Sequence, residues 1–353
     1  MKKDDATAPR AGEELNEKAL EDFLRVRLPT PFNDMEVLQF PAGSSNLTYL
    51  IRLGSTQYVL RRPPFGNTVR TAHDMKREFD VLSKLAFVYP PAPEPILFCD
   101  DESVIGSEFY LMEKKNGVVI RGLVPGDIAA SEEIQQKLCR SFIENLARLH
   151  SVNYPAAGLA DLGKPDGYNR RQVEGWTQRY IAAKTDEHAE LEAAMRWLRE
   201  NIPVESGASI IHNDYKFDNI MLDSDDLTRI IAVLDWEMVT VGDPLMDLGT
   251  TLGYWMSPEF GDEMMNMPFN PRVLMENVTR RQLVEMYSKA RNIALPDMLF
   301  YYVFGTFKIA VIAQQIYARF VKGMTHDQRF ANFNRFVGAL GRIAATSIDR
   351  KSI

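Results

Sequence analysis

Cysteine is nearly missing from this chain of 353 residues. Cys99 and Cys139 are the only two, too few and too isolated for a disulfide framework or a zinc site. A reducing cytosol is the expected compartment. A basic surplus is missing too: 41 Lys and Arg stand against 48 Asp and Glu, a net charge of −7. That balance argues against a nucleic-acid partner, whose binders normally carry excess positive charge. No uninterrupted apolar run approaches the roughly 18 residues of a membrane span. Met1-Lys2-Lys3-Asp4-Asp5 has no apolar core behind it, so no signal peptide is expected. Internal repeats and low-complexity tracts are also lacking. What is present is ordinary for a soluble globular protein: 45% hydrophobic and 25% charged residues. The length suits one two-lobed unit or two domains.

The chemistry is concentrated late in the chain. In Ser209-Ile210-Ile211-His212-Asn213-Asp214-Tyr215-Lys216-Phe217-Asp218-Asn219-Ile220-Met221-Leu222, one apolar run delivers a His, an Asp and an Asn, and a second leads away. A further apolar run, from Ile230 to Leu234, ends in Asp235-Trp236-Glu237. Any one of these polar residues alone would suit a turn, because Asp and Asn side chains cap nearby backbone amides. The compound pattern H-x-D-x-x-x-x-N, apolar strand, D-W-E points instead to phosphoryl transfer. Asp214 would accept the proton of an attacking hydroxyl. Asn219 and Asp235 would hold the Mg²⁺ that neutralises the triphosphate. Lys216, two residues past the base, is placed to neutralise the transferring group. His212 and Asp247 are expected as scaffold, one orienting the loop, the other capping a helix or bracing the catalytic segment.

The start of the chain reads as strand-rich. Leu15, Ala19, Leu20, Phe23 and Leu24 predict a helix over 13–27, stopped by Pro29 and Pro31. Strands follow at 37–40, 48–53 and 57–61. Between the first two lies a small-residue loop containing Gly43, Ser44, Ser45 and Asn46, where backbone N–H groups could approach a phosphate closely. A helix over 71–85 buries Met75, Phe79, Leu82 and Leu85. Residues 89–95, with four prolines, predict a rigid extended connection. Strands at 95–99 and 109–112 bring the number to five. The change from apolar to polar over Met112 to Gly117 marks a lobe boundary, giving 1–30 as tail and helix, 31–115 as N-lobe and 116–353 as C-lobe. Helices are predicted at 131–151, 171–184, 188–201, 242–256, 278–291, 297–321 and 326–348. Strands first and dense helix afterwards predict an α+β, two-lobed protein.

Residues His212 to Asn219, Asp235 and Gly242-Asp243-Pro244-Leu245-Met246-Asp247-Leu248 resemble the aminoglycoside phosphotransferase/choline kinase family, small-molecule relatives of the protein kinases. Within it, the likeness is to the branch containing the kinase-like domain of acyl-CoA dehydrogenase family members 10 and 11 and free-standing bacterial relatives. It runs from about Asn33 to about Gly323. The resemblance implies a protein-kinase-like fold, with a small antiparallel-sheet N-lobe and a mainly helical C-lobe, and ATP and Mg²⁺ as cofactors. Arg61, or its neighbour Arg62 on the opposite face of the strand, stands where the family usually has a phosphate-binding Lys. The acyl-CoA-dehydrogenase-associated branch is similar in preferring Arg. Glu78 matches the helix Glu that pairs with this residue. Met112 and Glu113 match the hinge that meets adenine through backbone groups, with Val59 above and Met221 or Leu222 below as apolar walls.

Tyr168, Arg171, Gln172, Trp176 and Tyr180 resemble the Y…RQ…W…Y pattern of the same branch. On the helix predicted over 297–321, Lys308, Gln315 and Arg319 share one face beside an apolar stripe. Basic plus apolar suits an anionic, partly greasy alcohol, and the resemblance makes a hydroxyacyl-CoA thioester the leading acceptor. Ordinary solvated helix charges explain the same residues equally well. Two other functions stay open. One is a kinase for a different small alcohol, such as an aminoglycoside, a choline-like amine or a sugar. The other is a nucleotide-binding pseudokinase serving as an interaction module.

Overall fold

The structure, a computed structural model, describes residues 6–41, 46–65, 74–120, 126–267, 269–325 and 327–353. Gly43, Ser44 and Ser45 lie outside the described residues. The chain forms two compact units, Met1–Val118 with Ile231–Glu237, and Val119–Ile230 with Met238–Ile353.

The first unit is built on an antiparallel sheet of five strands: β1 (Met35–Gln39), β2 (Leu47–Leu53), β3 (Thr56–Arg62), β4 (Pro95–Cys99) and β5 (Phe109–Glu113), in the order β1-β2-β3-β5-β4. The turn from β2 to β3 needs Gly54, whose φ is +58°. Register sets Val59 opposite Met112 and Arg61 opposite Tyr110. One face packs on helix α1 (Glu17–Arg27), whose Leu20 and Leu24 join Tyr49, Ile51, Leu60 and Leu111 in one apolar cluster. Asn16 caps α1 by accepting from the Ala19 N–H at 3.2 Å, so the helix begins four residues later than its apolar spacing alone suggests. Helix α2 (Met75–Leu85) is capped by Asp74, which accepts from the Arg77 N–H at 2.8 Å. The short α3 (Glu102–Ile105) precedes β5. The proline-rich stretch is not extended. Ala92 N–H closes a turn onto the Tyr89 carbonyl at 2.9 Å, because proline fixes the φ that a turn's second residue requires.

In the second unit the main helices are α5 (Glu132–His150), α6 (Tyr168–Ala183), α7 (Ala189–Glu200), α8 (Pro244–Tyr254), α11 (Arg280–Arg291), α12 (Leu299–Val321) and α13 (Phe333–Arg350). Shorter pieces are β6 (Val118–Val119), α4 (Gly126–Ala130), α9 (Asp262–Met265) and α10 (Arg272–Asn277). Short strands β7 (Ser209–Ile211), β8 (Ile220–Leu222) and β10 (Thr240–Gly242) flank the motif residues, and β7 pairs antiparallel with β10; β9 (Ile230–Val233) belongs from Ile231 onward to the first unit. Asp243 caps α8 by accepting from Leu245 N–H at 2.9 Å, and it also accepts from Asn169 Nδ2 of α6 at 2.9 Å. One buried carboxylate thus sets α6 beside α8. Met256, Met264 and Met265 fill this unit's core.

Helix α12 is long and apolar enough to cross a membrane by composition alone, yet 83% of its most apolar window is buried inside the unit. It is a core helix. A Cβ on Gly305 would lie 2.1 Å from the Gly249 carbonyl oxygen of α8, so the two backbones touch there. Gly305→Ala is expected to destabilise the protein at or above the upper end of the about 1–3 kcal/mol typical of overpacking. Urea unfolding checks this, with the midpoint falling while the slope is unchanged.

Candidate active site

Strand β7 ends at Ile211, and the chain turns sharply to present three polar residues. Asn213 adopts φ +67°, a left-handed conformation that Asn tolerates better than most residues. The turn is held from α8. Asp247, fully buried, accepts the His212 N–H at 2.7 Å and the Asn213 N–H at 2.7 Å. His150 Nε2 lies 3.1 Å from the same carboxylate, and its Nδ1 is 2.7 Å from the Tyr287 hydroxyl. Burial would raise the Asp247 carboxyl, but the bond from His150 and the surrounding donors hold it below its ordinary value. Thr251 Oγ1 donates to the Tyr215 carbonyl at 3.0 Å, and the Tyr254 hydroxyl donates to Asp214 Oδ1 at 2.6 Å. Asp247, Thr251 and Tyr254 are spaced i, i+4, i+7, so one face of α8 braces the whole loop.

Asp214 sits at the centre of this arrangement, its side chain 16% exposed. Lys216 Nζ approaches Oδ2 at 2.5 Å, and Asn219 Nδ2 donates to Oδ2 at 3.0 Å and to the Asp214 carbonyl at 2.9 Å. Burial pushes the carboxyl up, but the charge and hydrogen bond of Lys216 and the bond from Tyr254 outweigh it, leaving the pKa below the usual value. Asp214 is therefore ionised at neutral pH, as a proton acceptor must be. With Nδ2 committed, Asn219 has Oδ1 left as an acceptor.

In the first unit, Arg61 lies between two carboxylates. Its Nη2 is 3.1 Å from Asp235 Oδ1, and its Nε is 3.5 Å from Glu78 Oε1. Arg62 points to the other face and donates to the Ile105 carbonyl at 2.8 Å, so of the two arginines it is Arg61 that pairs with Glu78. Burial lowers the Arg61 guanidinium, but Glu78, Tyr110 and Asp235 together carry it well above its ordinary value. Burial likewise pushes the Glu78 carboxyl up, against the pull of Arg61. Asp235 has φ +63° and a side chain 35% exposed. Asn46 donates from Nδ2 to Glu237 Oε2 at 3.0 Å. Val59 and Met112 face each other across the sheet, nearly buried. The Glu113 side chain accepts from the Glu94 N–H at 2.8 Å and pairs with Lys115 at 2.6 Å. Of the two residues expected as the lower wall, Leu222 is completely buried in the second unit, while Met221 is partly exposed. Strand alternation turns them to opposite faces, so Leu222 is corrected to a core residue.

A cavity of about 400 Å³ opens in the second unit. Tyr168, Arg171, Gln172 and Trp176 line it, with Lys164, Arg179, Asn213, Met238, Thr240 and Val241. Four of the five residues expected at the acceptor are therefore together. Arg319 is not: it is exposed and absent from the lining. It lies eleven residues beyond Lys308, or about 16 Å along the axis at 1.5 Å per residue. Among the described residues no carboxylate lines the cavity. Asn213 belongs both to this lining and to the loop that carries Asp214. Lys308 is also displaced from expectation. It is only 1% exposed, and its Nζ donates to the Asn213 carbonyl at 2.6 Å. Tyr254 has no place in the sequence reading of the site.

The family model described as APH, Phosphotransferase enzyme family, matches residues 36–274. Acyl-CoA dehydrogenase family member 11 of Gallus gallus is 33% identical over 330 residues, covering 91% of this chain and 42% of that protein. The chain thus spans less than half of this curated relative. A provisionally named aminoglycoside phosphotransferase from Ralstonia eutropha superposes with a TM-score of 0.80 at 28% identity, covering 96% of this chain and 99% of that one. A thermostable mutant of aminoglycoside phosphotransferase APH(4)-Ia, solved with AMP-PNP and hygromycin B, gives 0.59 at 16% identity, covering 93% and 98%.

Proposed function

The chain belongs to the APH phosphotransferase enzyme family, and from that premise we propose that it is a small-molecule kinase using ATP and Mg²⁺. The γ-phosphoryl group passes to an acceptor hydroxyl whose proton Asp214 takes. The observation that carries the reading is the Asp214 carboxylate itself, ionised and fixed by Lys216, Tyr254 and Asn219. Lys216 offsets charge building on the transferring group. Asn219 Oδ1 and the partly exposed Asp235 carboxylate are hard oxygen donors of the kind Mg²⁺ prefers, and Mg²⁺ commonly takes one or two protein ligands with phosphates and water as the rest. When bound, the ion would neutralise the phosphate oxygens. Arg61, buttressed by Glu78, is assigned to the nucleotide phosphates, which a guanidinium can grip with two parallel bonds. Support for ATP comes from the AMP-PNP complex of the APH(4)-Ia structure.

For the acceptor, the cavity beside Asn213 favours an anion. Lys164, Arg171 and Arg179 line it with the flat face of Trp176, and a polycationic substrate would meet three like charges there. A hydroxyacyl-CoA, with phosphates, a hydroxyl and an apolar chain, fits this lining. The test is nucleotide turnover with MgATP across hydroxyacyl-CoAs, choline and an aminoglycoside. Turnover with the acyl-CoAs is expected, and Arg179→Ala should raise their KM about tenfold, as loss of one charged contact implies. Turnover on the cationic compounds alone would remove the anionic assignment while leaving the kinase intact.

A further inference from the structure

Lys308 is a buried cation that phosphoryl transfer as derived above does not use. It sits one turn past Gly305, where α12 touches α8. Its Nζ reaches the Asn213 carbonyl at 2.6 Å and lies 3.4 Å from Asn213 Oδ1. Tyr168 also donates to Oδ1, at 3.2 Å, and Asn213 Nδ2 donates to the Met238 carbonyl at 3.0 Å. Trp176 covers the ammonium, with Nζ 5.6 Å from the ring centroid. Among the described residues no carboxylate forms an ion pair with Lys308; the charged groups acting on it are Asp247 and Asp214, which favour the cation, and Lys216 and Arg179, which oppose it.

A buried ammonium without a carboxylate partner is costly, and an apolar residue of similar size would fill the space more cheaply. What the cation does here is hold both oxygens of the one residue that precedes Asp214 in a left-handed turn. We propose that Lys308 is a positioning residue for phosphoryl transfer, its ammonium fixing Asn213 and through it the direction of the Asp214 carboxylate. Because Tyr168 and Asn213 also line the cavity, an acceptor seated there touches the group that Lys308 holds. The inference rests on Asp214 being the base.

The sign with pH follows. Burial lowers the ammonium's pKa from 10.5 to about 8. The charged, positioning form is present below about pH 8 and lost above it, so turnover should fall on the alkaline side. Stability moves the other way: the unfolded chain keeps this proton up to about 10.5, so the folded state gains relative stability as pH rises from about 8.

The experiment compares full-length wild type with Lys308→Met and Lys308→Gln, reading hydrolysis of MgATP by water from pH 6 to 10, MgATP affinity and thermal melting. Lys308→Met should lower kcat about 10- to 100-fold, the scale of a misplaced catalytic group, with MgATP affinity kept and melting unchanged or raised. Its alkaline limb should vanish. Lys308→Gln, a neutral donor, should recover part of kcat and still lack the limb. A merely structural lysine would lower melting and leave the limb in place. Wild-type kcat with an intact limb in Lys308→Met overturns the proposal. Should wild type hydrolyse no ATP by water, the same comparison is read with an accepted alcohol; should it transfer to no acceptor at all, the kinase reading fails separately, and lysine NMR decides: the Lys308 side-chain signal and the Asn213 and Asp214 amides must titrate with one midpoint, and independent titration overturns the coupling.

Discussion

Asp214→Ala is expected to lower phosphoryl transfer by about 10²- to 10⁴-fold, the range a positioned general base supplies, while MgATP affinity changes little. The separation follows from where the carboxylate's bonds go. Lys216, Tyr254 and Asn219 hold it within the second unit, whereas Arg61, Glu78 and Asp235, assigned to the nucleotide, form their own ion-paired set. Steady-state kinetics and nucleotide titration calorimetry on one preparation check both halves. Asp214→Asn should be nearly as slow, because it keeps the shape and loses the proton acceptor. Residual transfer at the wild-type rate in either variant would refute the base.

Asp247→Ala is expected to cost about 3–5 kcal/mol of folding stability and to abolish most transfer. Asp247 is fully buried and receives the His212 and Asn213 backbone N–H groups of the turn before Asp214 as well as His150. Alanine leaves all three donors unpaired in the core, and unmet buried donors carry the full desolvation penalty. The carboxyl's pKa in the folded protein is below its ordinary value. The stabilisation is therefore complete above the unfolded carboxylate range, near about pH 4, and is lost as pH falls through the lower folded value. Urea unfolding at neutral pH measures the loss, and an acid titration should show a shallower decline in the variant than in wild type. A variant as stable as wild type would mean that the turn is held by something else.

Much of this was readable from residue order, because the signals are local. Period-two patterning located all five strands of the first sheet, and Ser131, followed by Glu132 and Glu133, is a cap residue whose neighbours fit the role. Strand alternation separated Arg61 from Arg62 but could not say which faced Glu78, since that depends on which side α2 packs. Lys308 was misread because its stripe on α12 continues into Gln315 and Arg319, and only the crossing at Gly249 and Gly305 buries the first of the three. Nothing in the residue order of α8 singles out Tyr254. Its hydroxyl matters only because Asp214 arrives from β7, a meeting that no single helix's pattern contains. A boundary drawn once along the chain also had no way to return Ile231–Glu237, and Asp235 with it, to the first unit.

The central proposal is that a nucleotide-borne Mg²⁺ is held through hard oxygen donors, with Asn219 Oδ1 and the Asp235 carboxylate as the two candidates. Electron paramagnetic resonance of Mn²⁺, titrated with AMP-PNP into wild type, Asn219→Ala and Asp235→Ala, tests it most directly. The expected result is Mn²⁺ binding that depends on nucleotide and weakens about tenfold or more in each folded variant. Binding indifferent to nucleotide, or retained in both variants, would contradict it.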